Sequence, residues 1–154
     1  MTSTAVHGER VFVSDGETFQ VSVFDKSGRL ESIFRLDRSP ASLSPETEAR
    51  YLREATEAGR EISAPFPSSL PAYDKLVVDD MGRVWAHRYA PFQDGPNETD
   101  VFGADGVYLG DVVMPVGFTL FDVRGGRALG VAKDELDVER PVALRLKMVG
   151  APDG

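Results

Sequence analysis

Residues 70–89, LPAYDKLVVDDMGRVWAHRY, constrain the fold of this chain more than any other stretch. An apolar run (Leu76, Val77, Val78) leads into the turn signal Asp79-Asp80-Met81-Gly82-Arg83, and the β-prone run that follows carries the only Trp, Trp85. Two such runs around an Asp and Gly turn predict a hairpin with both strands half or fully buried. Strand side chains alternate, so Trp85, His87 and Tyr89 share one face and Val84, Ala86 and Arg88 the other. The turn is echoed in Phe24-Asp25-Lys26-Ser27-Gly28-Arg29, Phe102-Gly103-Ala104-Asp105-Gly106 and Phe121-Asp122-Val123-Arg124-Gly125-Gly126-Arg127. Each sets an apolar residue, a short polar stretch and a Gly before the next strand, and such recurrence predicts a repeated β-architecture. The Asp side chains, with Asp79 repeating the position of Asp25 and Asp122, are expected to accept from local backbone N–H groups.

Around this centre, residues 1–8 are small and polar and are expected to fray. Residues 9–36 predict three short antiparallel strands separated by Asp and Gly turns. An insert, residues 37–72, then breaks the β pattern. Ser44-Pro45-Glu46 is a helix start, with Ser as cap and Pro where its missing N–H costs nothing. A surface helix over a sheet edge follows across residues 45–58, with Leu52, Ala55, Ala58 and Ile62 on one face. Glu46 with Arg50 and Arg53 with Glu57 stand at i, i+4 spacing on its other faces. Pro65, Pro67 and Pro71 make the end of the insert a stiff connector. Further strand pieces fall within residues 73–114 and 118–149, the last strand over residues 142–149, and residues 150–154 read as a tail.

A net charge of −8 argues against nucleic acid as a partner, because phosphate affinity is dominated by Lys and Arg. No apolar run approaches a membrane span, no signal peptide is read at residues 1–10, and the compartment stays open. The absence of Cys removes disulfides, thiolate metal sites and cysteine nucleophiles. Chemistry is thinly signalled. His87 has only His7 as a second imidazole, so a packing or solvent-rim role suits it better than zinc ligation. Asp94, Asn97, Glu98 and Asp100 bring oxygens together without the spacing of a calcium loop. The acidic run with Asp134, Glu135, Asp137 and Glu139 reads as a water-facing bend. His87, Asp94, Asn97, Glu98, Asp134 and Glu135 are therefore the candidate ligand- or partner-binding residues. No catalytic residue, metal ligand or cofactor is assigned.

The spacing Leu70-Pro71, then Leu76 through the Asp79-x-x-Gly82-x-x-Trp85 element, resembles bacterial members of the six-bladed β-propeller superfamily with NHL-like repeats. Residues 101–114 and 118–146, with the Asp134-Glu135-Leu136 loop, resemble the blades that follow. The resemblance implies an all-β fold, a partial propeller of about three blades over residues 9–149, in pieces 9–36, 73–114 and 118–149. A blade takes roughly 40 to 50 residues, so the chain matches the C-terminal half of such a ring. On that mapping the first unit lacks its innermost strand and the last its outermost, and Trp85 wedges between blades. A second copy, or blades encoded upstream, would complete the ring, and full-length relatives are frequently exported. The implied function is a noncatalytic binding or scaffold module for a protein or small ligand. The alternatives are a fragment of a lactonase-like hydrolase using a divalent cation, and a small autonomous β-sandwich.

Overall fold

The computed structural model describes residues 1–63 and 65–147, which form eleven strands in three antiparallel sheets and one helix. The first sheet is β1 (Ser3–His7), β2 (Arg10–Ser14), β3 (Gln20–Phe24) and β4 (Leu30–Arg35), in chain order. Helix α1 (Pro45–Glu57) follows. The second sheet is β5 (Tyr73–Val78), β6 (Val84–Arg88), β7 (Glu98–Phe102) and β8 (Tyr108–Val113). The third is β9 (Phe118–Arg124), β10 (Arg127–Lys133) and β11 (Glu139–Arg145). Each sheet is a simple meander, so every strand pairs with its sequence neighbour, and the sheets approach one another through β1, β5 and β9.

The second sheet is the middle layer and is buried on both faces. Tyr73, Leu76, Val84, Ala86 and Phe102 pack against Phe12, Phe19, Val21, Val23 and Phe34 of the first sheet and its loops. From the opposite face Val77, Trp85 and Val101 pack against Phe118, Leu120, Val123 and Ala128 of the third. Alternation along β6 thus sends Val84 and Ala86 one way and Trp85 the other, which places the single Trp between two sheets.

The central hairpin is held by a buried carboxylate. Asp79 Oδ1 accepts from the backbone N–H of Met81 and of Arg83, both at 2.9 Å. Its Oδ2 accepts from Arg83 Nε at 2.6 Å and from Trp85 Nε1 at 3.0 Å. Asp25 repeats the arrangement with Ser27 N, Arg29 N and Arg29 Nε. The expected third echo at Asp122 does not form. Asp122 lies within β9, because Gly125 and Gly126, with φ of 54° and 71°, make a two-residue hairpin of their own. The turn recurs instead at Asp134, whose Oδ1 accepts from Leu136 N at 2.9 Å and Val138 N at 3.0 Å. Asp137 there takes the position of Gly28 and Gly82 with φ 61°, the only non-Gly residue in that region among those described.

Three further expectations are corrected. Residues 3–7 do not fray but form β1, pairing with β2 across the Gly8-Glu9 turn and standing beside β5. The first sheet therefore has four strands, while the third has three among the described residues. Helix α1 is capped by Ser44 as expected, its Oγ accepting from Thr47 N at 3.1 Å, yet its inward residues are Tyr51 and Ala55. Leu52 and Ile62 are exposed, and the helical ion pair is Arg50 with Glu54. Tyr51 reaches Tyr89 and Phe92, so the helix lies over the β6–β7 loop. The last strand is β11, and residues 148 and 149 lie outside the described residues, as does the tail. No helix among the described residues is long and apolar enough to cross a membrane.

Removing the Asp79 carboxylate strands a buried indole N–H and two turn N–H groups, so Asp79→Ala is expected to cost about 3 kcal/mol in urea unfolding. Asp25→Ala, at a less buried copy of the same turn that holds no indole, should move the midpoint far less; equal shifts would show that the turn and not its burial sets the cost. At Asp137, Ala is expected to cost about 1 kcal/mol for its left-handed backbone, while Gly is tolerated. Melting of the two variants side by side decides this.

Candidate functional site

The Asp79 turn and the β1–β2 and β9–β10 turns gather at one end of the three sheets. His7 lies beside Gly82, and Gly125 N donates to Asp80 Oδ2 at 3.4 Å. The candidate site opens at the other end, between the second and third sheets, where the β6–β7, β8–β9 and β10–β11 connections meet. An outer cleft of about 450 Å³ is lined by His87, Phe92, Asn97, Val116, Thr119 and Lys133 among others. A deeper cavity of about 340 Å³ shares Asp74, His87, Phe118 and Thr119 with it and has Val77, Trp85 and Leu120 as an apolar floor.

A β-bulge creates the polar part of this cavity. The β5–β6 register runs Tyr73 opposite Arg88, then Lys75 opposite His87, so Asp74 is an extra residue on β5. Such an insertion re-aims the side chains around it. Tyr73 and Leu76 face the first sheet, whereas both Asp74 and Lys75 line the cavity toward the third. Strict alternation would have put Asp74 and Lys75 on opposite faces.

His87 is held at both ring nitrogens. Nδ1 lies 2.5 Å from Asp74 Oδ1 and Nε2 lies 2.9 Å from Asn97 Oδ1. The orientation of the Asn97 amide follows from its other bonds, because its Nδ2 donates to the carbonyls of Pro115 at 2.9 Å and Phe118 at 2.7 Å. Its oxygen must therefore face the imidazole, and Nε2 must donate. With a carboxylate at Nδ1, both nitrogens are donors, which is the imidazolium form. Burial works against that charge, but the hydrogen bond and charge of Asp74, aided by Asn97, outweigh it and hold the His87 pKa above the ordinary 6.5. The group is a structural cation that ties β5, β6 and the approach to β9 together, without a free lone pair for base chemistry.

Four of the six residues singled out from sequence line the outer cleft: His87, Asp94, Asn97 and Asp134. Only His87 and Asn97 bond each other. Asp94 is at the rim, clamped by Arg50 Nη2 at 3.0 Å, and Asp134 caps its own turn and pairs with Arg140 at 3.4 Å. Glu98 points elsewhere, to Arg88 Nη1 at 2.9 Å, and Glu135 is exposed on the Asp134 turn outside the lining. Asp74, Lys75, Thr119 and Lys133 were not signalled by the sequence, because a bulge and a sheet-to-sheet approach bring them in.

Asp100 is a separate case. Its side chain is 0% exposed and accepts from Tyr73 OH at 2.9 Å, Arg88 Nη2 at 2.5 Å and Tyr108 OH at 3.1 Å, with Arg38 Nη1 at 3.3 Å. Burial raises its pKa, but the bonds from Arg88 and Tyr73 pull it below the ordinary carboxylate value. This network ties β5, β6, β7 and β8 of the second sheet to one another and to Arg38 of the insert, and leaves no carboxylate oxygen for a cation. No group of three or more His, Asp or Glu among the described residues could hold a metal ion.

No protein-family model matches the chain, and no curated protein matches it.

Because the folded-state pKa of His87 is raised, its stabilising effect is complete below about 6.5, the unfolded value, and is lost as pH rises through the folded value. Urea unfolding from pH 5.5 upward should show stability falling on the alkaline side, and His87→Gln should remove that slope. NMR titration of the His87 ring should give a midpoint above that of a free imidazole; a midpoint below it would overturn the assignment of the imidazolium.

Proposed function

We propose that the chain is a noncatalytic ligand-binding module of partial β-propeller type, with its ligand seated between the second and third sheets. The observation that carries this is the cleft itself. An apolar floor of Val77, Trp85, Phe118 and Leu120 is topped by a few fixed polar groups, the ordinary composition of a small-molecule site. His87 is hydrogen-bonded at both ring nitrogens, and the carboxylates Asp94, Asp134 and Asp137 are each in an ion pair. Among the described residues no set of cation ligands forms, and the imidazole of the cleft has no free lone pair, which speaks for binding over a metal-dependent hydrolase.

The blade reading is supported by three meanders that meet through their first strands, with corresponding turns at one end. It also accounts for the outward face of the first sheet. Pairing sets Val6, Val11, Phe24 and Leu30 side by side there, with Val13 and Ile33 in the next row, and Val6, Leu30 and Ile33 are exposed. A blade face of that kind takes a neighbour, whether a second copy or another part of a longer chain.

Two-dimensional NMR with a library of soluble aromatic and aliphatic fragments tests the site. Shifts are expected to gather on the Trp85 indole, Thr119 and Leu120. Shifts scattered over the surface, or concentrated on the outward face of the first sheet, would refute it. Turnover of 4-nitrophenyl acetate or a δ-lactone with added calcium or zinc is expected to stay at the background rate, and its stimulation by either metal would favour the hydrolase.

A further inference from the structure

We infer that the cavity between the second and third sheets takes a small apolar monocarboxylate, its chain on Val77, Trp85, Phe118 and Leu120 and its carboxylate on the Lys75 ammonium. This rests on the reading of the cleft as a binding site and names the ligand class.

Charge accounting inside the cavity leads there. The titratable side chains of its lining are Asp74, Lys75 and His87, and Met1, which carries the α-ammonium, lines it as well. Asp74 is matched by the His87 imidazolium, whose second N–H is given to Asn97. Lys75 is left over. It takes part in none of the ion pairs among the described residues. Its ammonium lies over the ring of Phe121, with Nζ 4.1 Å from the centroid. Lys75 and His87 stand directly opposite each other in the strand register, and like charges so placed repel. Burial accordingly pulls the Lys75 pKa below its ordinary value, with Asp74 only partly opposing. A partly buried cation without a carboxylate, facing another cation above an apolar floor, is a vacancy for one negative charge.

The same accounting selects the ligand's head and body. The carboxylates around the mouth are already paired, Asp94 with Arg50, Asp134 with Arg140 and Asp137 with Lys133, so a cationic ligand finds no free partner. One ammonium matches a carboxylate, whereas a phosphate asks for several donors. A volume of about 340 Å³ with an aromatic and aliphatic floor favours a short apolar chain or ring.

Hexanoate, hexanamide and hexylamine share a body and differ in head charge, and they can be titrated at millimolar concentration against the emission of the single Trp85. Hexanoate is expected to bind at least about tenfold more tightly than hexanamide, and hexylamine not to bind. Lys75→Met, which replaces an unpaired amine with an apolar chain of similar length, should keep its melting temperature and lose the preference for hexanoate, and Lys75→Arg should retain it. Equal affinity for hexanoate and hexanamide, tighter binding of hexylamine, or an unchanged preference in Lys75→Met would overturn the inference, as would no binding of any of the three. In that last case, fragment-induced shifts still gathered on Trp85 and Thr119 would leave the cleft as a site and discard only the carboxylate. Their absence would discard both.

Discussion

The fold depends on a carboxylate that has been taken out of water. Asp79 is 1% exposed and accepts four hydrogen bonds, from two turn N–H groups, a guanidinium and an indole. A buried carboxylate is costly unless its lone pairs are filled, and here all four directions are. The bond to Trp85 makes the turn and the core one unit. Trp85 lies against the third sheet while its N–H is held by the β5–β6 turn, so the packing of two sheets is coupled to the geometry of one hairpin. Asp100 does the corresponding work on the other face, where two tyrosines and an arginine of the second sheet and Arg38 of the insert converge on it. The middle sheet is thereby fixed on one side by Asp79 with Trp85 and on the other by Asp100 with Tyr73.

The legibility of the chain follows from how local each determinant is. The turns at Asp25 and Asp79 were readable because Asp-x-x-Gly carries its own physics: a side-chain acceptor at one end and a left-handed residue at the other. The same physics failed at Asp134, where Asp137 supplies the left-handed residue and no Gly marks the place. It also produced a false echo at Asp122, since the Gly pair after it serves a two-residue hairpin. Residues 3–7, STAVH, hold the strand formers Thr4 and Val6 but form too short and weakly apolar a run to mark a strand alone, so β1 is legible only through its neighbours β2 and β5. The helix start was legible from Ser44 and Pro45, but its inward face was not, because Tyr51 is chosen by Tyr89, Phe66 and Phe92, all from the connections that follow.

The candidate site shows the same division. His87 was visible as a rare residue type, and Asn97 as part of a polar loop, but their contact depends on the β6–β7 pairing that sets His87 opposite Thr99. Asp74 and Lys75 were invisible for a sharper reason. The alternation rule assigns adjacent strand residues to opposite faces, and the bulge at Asp74 breaks it at the one place where both side chains are needed on one face. Periodicity describes a strand by its regular part, whereas this site is built at the irregularity.

That irregularity bears on how the cavity behaves. Asp74, Lys75, Val77, Trp85, His87, Phe118, Thr119 and Leu120 all belong to strands, and the central sheet from which most of them come is packed on both faces. Asn97, which lies outside the strands, is tied by three hydrogen bonds to His87, Pro115 and Phe118. On the proposed reading a ligand meets a wall built mostly from strands, which leaves little ordering entropy to oppose binding. The His87 imidazolium is central to that rigidity, because it joins the bulge to the segment leading into β9, and both sides of the cavity move together with it. The positive charge that fixes the wall is also the one that faces Lys75 across the strands. On the inferred reading, His87 thus serves both the order of the wall and the demand for an anion.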